Sequence, residues 1–199
     1  GTAVLSALHE ATAVVGVDAA NGDVLWETGF EGRTAVIPTP IYHDGCVYVA
    51  SGYGAGCKMV KLNDTKEPEE IYVNKNMTNH HGGVVLVGEH LYGYSDGKGW
   101  ICQDFKTGEI VCHYQYTPND VYDVDGTDEH VLADLEVGGQ RRKVMIQANK
   151  SGFVYVLDRT DCWLIAVHRF TKGNWATHID LATGRAEQLS ILVIDDGVV

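Results

Sequence analysis

The feature that most constrains this chain is a repeated strand–turn–strand unit. GVDAANGDVLWE at 16–27 matches CQDFKTGEIVCH at 102–113, each reading as a strand, an Asp, an Asn-Gly or Thr-Gly turn, and a second strand. A third copy, VLDRTDCWLIAV at 156–167, keeps the Asp and loses the turn glycine. Asp18 and Asp104 are 86 residues apart, two units of 43, which puts an intervening unit near residue 61, within MVKLNDTKEPEEIYV. Asp104 and Asp158 are 54 apart, one unit plus an insertion of about 11 that coincides with TPNDVYDVDGTDEH at 117–130. A period near 43 with several strands per unit is the signature of a propeller blade, which buries its faces only against its neighbours.

Local composition agrees. Thr12–Val17, Cys46–Ala50, Val84–Val87, Lys143–Gln147 and Phe153–Leu157 are short and rich in β-branched or aromatic residues, with Gly, Asp or Asn near most of their ends. No stretch of 12 or more residues carries a helical stripe. The expected fold is all-β, a β-propeller of four-stranded blades. The 199 residues hold about four to five blades, a small ring or about half of a large one. No Gly, Ser or Pro linker interrupts the chain, so residues 1–199 read as a single propeller domain or a propeller fragment. The opening, GTAVLSALHE, lacks a basic start and cleavage pattern, so no signal peptide is expected and a fragment is favoured.

Charge excludes some partners. The net charge of −12 argues against nucleic acid, whose phosphates need a basic stripe. The basic cluster Arg141-Arg142-Lys143 follows Gly138-Gly139 and reads as a solvated hairpin end. No apolar run is long enough to cross a bilayer. The five cysteines form no C-x-x-C pair; Cys102 and Cys112 flank a turn and read either as a cross-strand disulfide or as two buried thiols.

Chemistry concentrates in 117–130. Asp120, Asp123, Asp125, Asp128 and Glu129 fall within ten residues. In extended backbone Asp123 and Asp125 share a side, which suits a hard cation with oxygen ligands; the plainer alternative is a polar loop with Asx turns. His80 and His81 read as a turn before Gly82-Gly83 rather than as metal ligands, because adjacent strand residues face opposite ways. Gly52, Gly54 and Gly56 precede no helix start and so make a weak phosphate loop; Tyr53 among them is expected to pack between blades.

From about Tyr114 to Arg185 the chain resembles the type I quinoprotein alcohol dehydrogenases. The matching pieces are YQYTPNDVYDVDG, EHVLADLEV, RRKVMIQANKSGFVYVLDRT and GNWATHIDLATGR. Residues 1–112 resemble instead the PQQ-like propeller repeat proteins, through TPIYHDGCVYVASGYGAGCKMVKL and NHHGGVVLVGEHLYGYSDGKGWICQDFKTGEIV. The first resemblance implies part of an eight-bladed propeller holding pyrroloquinoline quinone (PQQ) with a calcium or lanthanide ion. It implies oxidation of a small alcohol in the periplasm or outside the cell, with electrons passed to a cytochrome c-type acceptor. By position, Asp123 is the catalytic base and a metal ligand, and Asp125 the additional ligand of lanthanide-dependent members. Lys150, Asn174 and Trp175 are cofactor-binding residues. The second resemblance implies a non-catalytic scaffold. A partner chain completing the propeller is a further expectation. Blades of this kind dock on one another through an aromatic; Trp26 fills that place in the first copy and Cys112 stands there in another.

Overall fold

The computed structural model describes residues 2–6, 13–32, 34, 36–81, 83–118, 130–173 and 175–188. All regular structure among them is β. The first sheet holds β1 (Thr2–Ser6), β2 (Ala13–Asp18) and β3 (Val24–Gly29). The second holds β4 (Ile41–His43), β5 (Cys46–Ser51), β6 (Gly56–Lys61) and β7 (Glu69–Asn74). The third holds β8 (Val85–Val87), β9 (His90–Ser95), β10 (Gly99–Asp104) and β11 (Ile110–Tyr114). The fourth holds β12 (Val131–Val137), β13 (Gln140–Ala148), β14 (Phe153–Asp158) and β15 (Leu164–Arg169). A two-stranded sheet, β16 (Ala176–Ile179) with β17 (Ala186–Gln188), follows. Every pairing is antiparallel between strands consecutive in the chain, which is the up-and-down meander of propeller blades. The fold expected from the repeat is the fold found. No described helix is long and apolar enough to cross a membrane.

The chain forms two compact units, residues 1–115 and 116–199. In the first, alternation along a strand explains how one blade serves two neighbours. Val47 and Val49 of β5 face the first blade, in a cluster with Val14, Trp26, Phe30 and Val60. Tyr48 and Ala50 face the third, with Cys57, Met59, Met77, Leu91, Ile101 and Phe105. Period-two geometry sends successive side chains to opposite faces, and here both faces are covered, so the strand reads as unbroken apolar sequence. Lys58, 6% exposed, is the polar exception; its ammonium donates to the Gly29 carbonyl at 2.7 Å and pairs with Glu70 at 2.9 Å.

Hydrogen bonds fix the second blade on the third. The Tyr48 hydroxyl donates to Gln103 Oε1 at 3.0 Å, and the Tyr72 hydroxyl to the Phe105 carbonyl at 3.0 Å. Gln103 Nε2 and Asn76 Nδ2 both donate to the Gly108 carbonyl, at 2.7 and 2.8 Å. Buried amides and phenols need such partners, and burial raises the Tyr48 phenol well above its ordinary range.

The repeat has a conserved turn geometry. At Asp18, Asp104, Asp158 and Asp180 the Asp N–H donates to the carbonyl five residues on, and its carbonyl accepts the N–H four residues on. The Asp carboxylate accepts one or two backbone N–H groups inside the loop, an Asx turn. The residue four on has positive φ in each: Gly22 at 82°, Gly108 at 70°, Cys162 at 60° and Gly184 at 68°. Cys162 therefore occupies a glycine conformation, which accounts for the missing glycine of the third copy without any change of turn. A β-bulge also recurs two residues before the turn, at Gly16/Val17, Met59/Val60, Cys102/Gln103 and Val156/Leu157. The degenerate unit near residue 61 is thus a blade with the shared bulge. Across that bulge stand Trp26, Tyr72, Cys112 and Ala166, the docking position in successive blades.

Cys102 and Cys112 are cross-strand partners, as their spacing suggests, yet Cys102 is a free, buried thiol. The buried-thiol alternative holds for Cys102, and burial pushes that thiol's pKa up. Gly138 and Gly139, both at positive φ, close the β12–β13 hairpin ahead of Arg141-Arg142-Lys143, as expected.

Candidate functional site

The β13–β14 turn carries Lys150. Asn149 builds it: its side-chain oxygen accepts the Ser151 N–H at 2.9 Å and its carbonyl accepts the Gly152 N–H at 2.9 Å. Gly152 is required by φ of 90° and by a close approach, since a Cβ there would meet Thr171 Cγ2 at 3.0 Å. Beneath the turn lie Gln147, Asn149, Ser151 and Tyr155, all buried. Asn149 Nδ2 donates to Gln147 Oε1 at 3.2 Å, and the Ser151 and Tyr155 hydroxyls are 3.2 Å apart. Burial pushes the Tyr155 phenol up to about 12, so it keeps its proton. Lys150 itself is exposed at the crest.

The loop after β15 closes on this turn. Trp175 donates its indole N–H to the Ser151 carbonyl at 2.6 Å, and Phe170 donates its backbone N–H to the Gly152 carbonyl at 3.1 Å. The indole stands edge-on to Phe153, with centroids 6.0 Å apart at 89°. Arg169 lies over the same Phe153 ring at 5.6 Å and donates to the carbonyls of Thr171 and Gly173. Arg169, Phe170, Thr171, Lys172 and Gly173 line an open depression of about 530 Å³. Two of the residues expected to bind a cofactor, Lys150 and Trp175, are therefore joined through one hydrogen bond to the intervening Ser151. Asp123, Asp125 and Asn174 lie outside the described residues. Among the described residues no three His, Cys, Asp or Glu side chains gather as a metal site.

Residues flanking the 117–130 segment are described at both ends. Tyr116 stacks obliquely on Tyr155 at 4.7 Å and faces His130 at 6.1 Å. Burial drives the His130 imidazole down from 6.5 to about 3, so it is neutral at ordinary pH. Sequence reasoning singled out neither His130 nor Arg169. Ser151 and Phe170 act through backbone groups, which leave no side-chain signal.

His80 is held by a carboxylate and a backbone amide. Its Nε2 lies 2.6 Å from Asp96 Oδ2 and 3.3 Å from the Tyr53 N–H, which donates to it. Gly52 is small because a Cβ there would fall 2.3 Å from the His80 ring. Tyr53 meets the third blade at an exposed rim rather than in the core: at φ 55° its ring stands edge-on to His80, which is bonded to Asp96. Left-handed backbone at Tyr53 turns its ring out of the sheet.

Known proteins sharing this architecture identify the lineage. A PQQ-type family model described as outer membrane protein assembly factor BamB matches residues 2–114. A second, described as the glucose/ethanol/alcohol dehydrogenase beta-propeller domain, matches residues 70–165. The chain belongs to the PQQ-type β-propeller family. Quinohemoprotein alcohol dehydrogenase ADH IIB of Pseudomonas putida is 51% identical over 79 residues, covering 40% of this propeller chain and 11% of that relative. The matched stretch thus spans about a tenth of that relative's length. The quinohemoprotein alcohol dehydrogenase of Comamonas testosteroni superposes with a TM-score of 0.74 at 21% identity, over 96% of this chain and 37% of that one. A europium-containing methanol dehydrogenase superposes at 0.68 and 19% identity, over 95% and 43%. At these identities the superpositions establish the shared propeller fold.

Proposed function

We propose that this chain is part of an alcohol-oxidising quinoprotein propeller that binds PQQ together with a calcium or lanthanide ion. The carrying observation is the cross-locked pair of turns that presents Lys150 and Trp175 on one edge of the fourth blade. Support comes from the chemistry of the groups gathered there. Lys150, Arg169 and Lys172 are cations, Phe170 is exposed, and the adjoining depression is open and about 530 Å³ in volume. PQQ is flat and anionic, and a cationic edge with an aromatic surface fits such a ligand.

When bound, PQQ supplies a two-electron quinone acceptor for a hydride. In this reading Asp123 takes the hydroxyl proton of the alcohol as the hydride leaves the adjacent carbon, and an aldehyde or ketone departs. Asp123 and Asp125 together hold the cation, two carboxylates offering the charge that a trivalent ion favours. Lys150 sets a fixed positive charge where negative charge accumulates on the quinone oxygens. Asn174 completes the cofactor edge beside Lys150. A cytochrome c-type protein takes the electrons onward, in the periplasm or outside the cell.

The test is titration of the purified chain with PQQ, with and without calcium or lanthanum, followed by absorbance and by alcohol-dependent dye reduction. Metal-dependent binding is expected, weakened about tenfold or more in Asp125→Ala. Asp123→Ala is expected to abolish dye reduction. Absence of PQQ binding under every condition sinks the reading and leaves a non-catalytic scaffold.

A further inference from the structure

We infer that Trp175 is a positioning residue: its indole N–H fixes the 149–152 turn and thereby the direction in which Lys150 presents its ammonium to the cofactor. This rests on the functional reading above and gives Trp175 a different role from direct contact.

Three observations converge. First, the indole N–H is committed to the Ser151 carbonyl at 2.6 Å, and so is not offered to a ligand. Second, Ser151 is only 4% exposed, so its carbonyl has little access to water as a replacement donor. Losing the indole N–H leaves that acceptor poorly satisfied, and the turn must shift to recover a partner. Third, the residue next to this anchor is Lys150, and the other side of the turn is set by Asn149 and by Gly152 at φ 90°. The backbone on each flank of Lys150 is thus tied down, by Asn149 on one side and by Trp175 on the other. Phe153 holds the indole in place from below at 6.0 Å, and Arg169 caps Phe153 in turn. Where a long, rotamer-rich lysine can reach depends on the backbone that carries it.

Trp175→Phe removes the N–H and keeps an aromatic ring against Phe153. PQQ affinity of the full chain, read by absorbance, is expected to fall about five- to tenfold, the worth of one hydrogen bond. In a Lys150→Ala background the same substitution is expected to change affinity less than about twofold, because the lost effect runs through Lys150. Amide hydrogen exchange supplies a readout that needs no cofactor. The Ser151 and Gly152 amides are expected to exchange faster in Trp175→Phe, with the β12–β13 turn at Gly138-Gly139 unchanged. An equal loss of affinity in both backgrounds overturns the inference, since Trp175 then touches the cofactor or acts on the fold at large. Unchanged exchange at Ser151 and Gly152 also overturns it. If the wild-type chain binds no PQQ, the functional reading fails, and faster exchange in Trp175→Phe still upholds Trp175 as the anchor of the turn.

Discussion

His130 shows how one buried side chain ties stability to pH. Its imidazole titrates near 6.5 in the unfolded chain and near 3 in the folded one, because burial penalises the charged form. Between those values the unfolded chain binds the extra proton, so stability rises with pH. The contribution is fully present above about 6.5 and is lost as pH falls toward 3. Urea denaturation at pH 7, 6, 5 and 4 checks this. Wild type is expected to lose up to about 1.4 kcal/mol more per pH unit than His130→Leu, which has no proton to take up. A parallel pH dependence in the two proteins refutes the assignment. At the same scale, Cys162 shows what a sequence hides. The third repeat lacks the turn glycine, yet the backbone keeps the turn and places cysteine at φ 60°.

At the scale of elements, the docking aromatic decides how blades meet. Trp26 is buried among Val14, Phe30, Val47, Val49 and Val60, and it lies over Gly16, where a Cβ would sit 2.2 Å from the indole. Its Nε1 has no hydrogen-bond partner, so its contribution is apolar burial. Trp26→Ala is expected to cost about 3–5 kcal/mol by urea denaturation. Trp26→Phe is expected to cost clearly less than Trp26→Ala, since a ring still fills most of the space and no hydrogen bond is given up. Similar losses in both variants contradict this account. Docking by Trp26 was legible from its place eight residues after Asp18. Tyr72 was not, because the second blade has Lys61 where the others have Asp and a longer turn before β7. The Asp180 turn was also readable, since IDLATGR repeats the pattern of QDFKTGE, but its strands are too short to stand out by periodicity.

At the largest scale, the second and third blades are protected in their middle strands and open at their edges. β5, β6, β9 and β10 are buried almost throughout, whereas β7 is mostly exposed. Amide exchange is expected to be slowest in those four inner strands and faster in β7, and a uniform rate across the second blade contradicts the layering. The 43-residue spacing announced this architecture because the Asp turn and the bulge recur along the chain. The candidate site was less legible. The family resemblance named Lys150 and Trp175, but the bond between the indole and Ser151 depends on a backbone carbonyl and on two loops 24 residues apart. The recurring bulge and Asx turn have a further consequence. They fix register between a blade's own strands, whatever length of chain leads into it. The segment between Asp104 and Asp158 is about 11 residues longer than the repeat, yet β14 keeps the same bulge and the same turn. A blade framed this way absorbs a change in the spacing of the repeat and still forms its own bulge and turn.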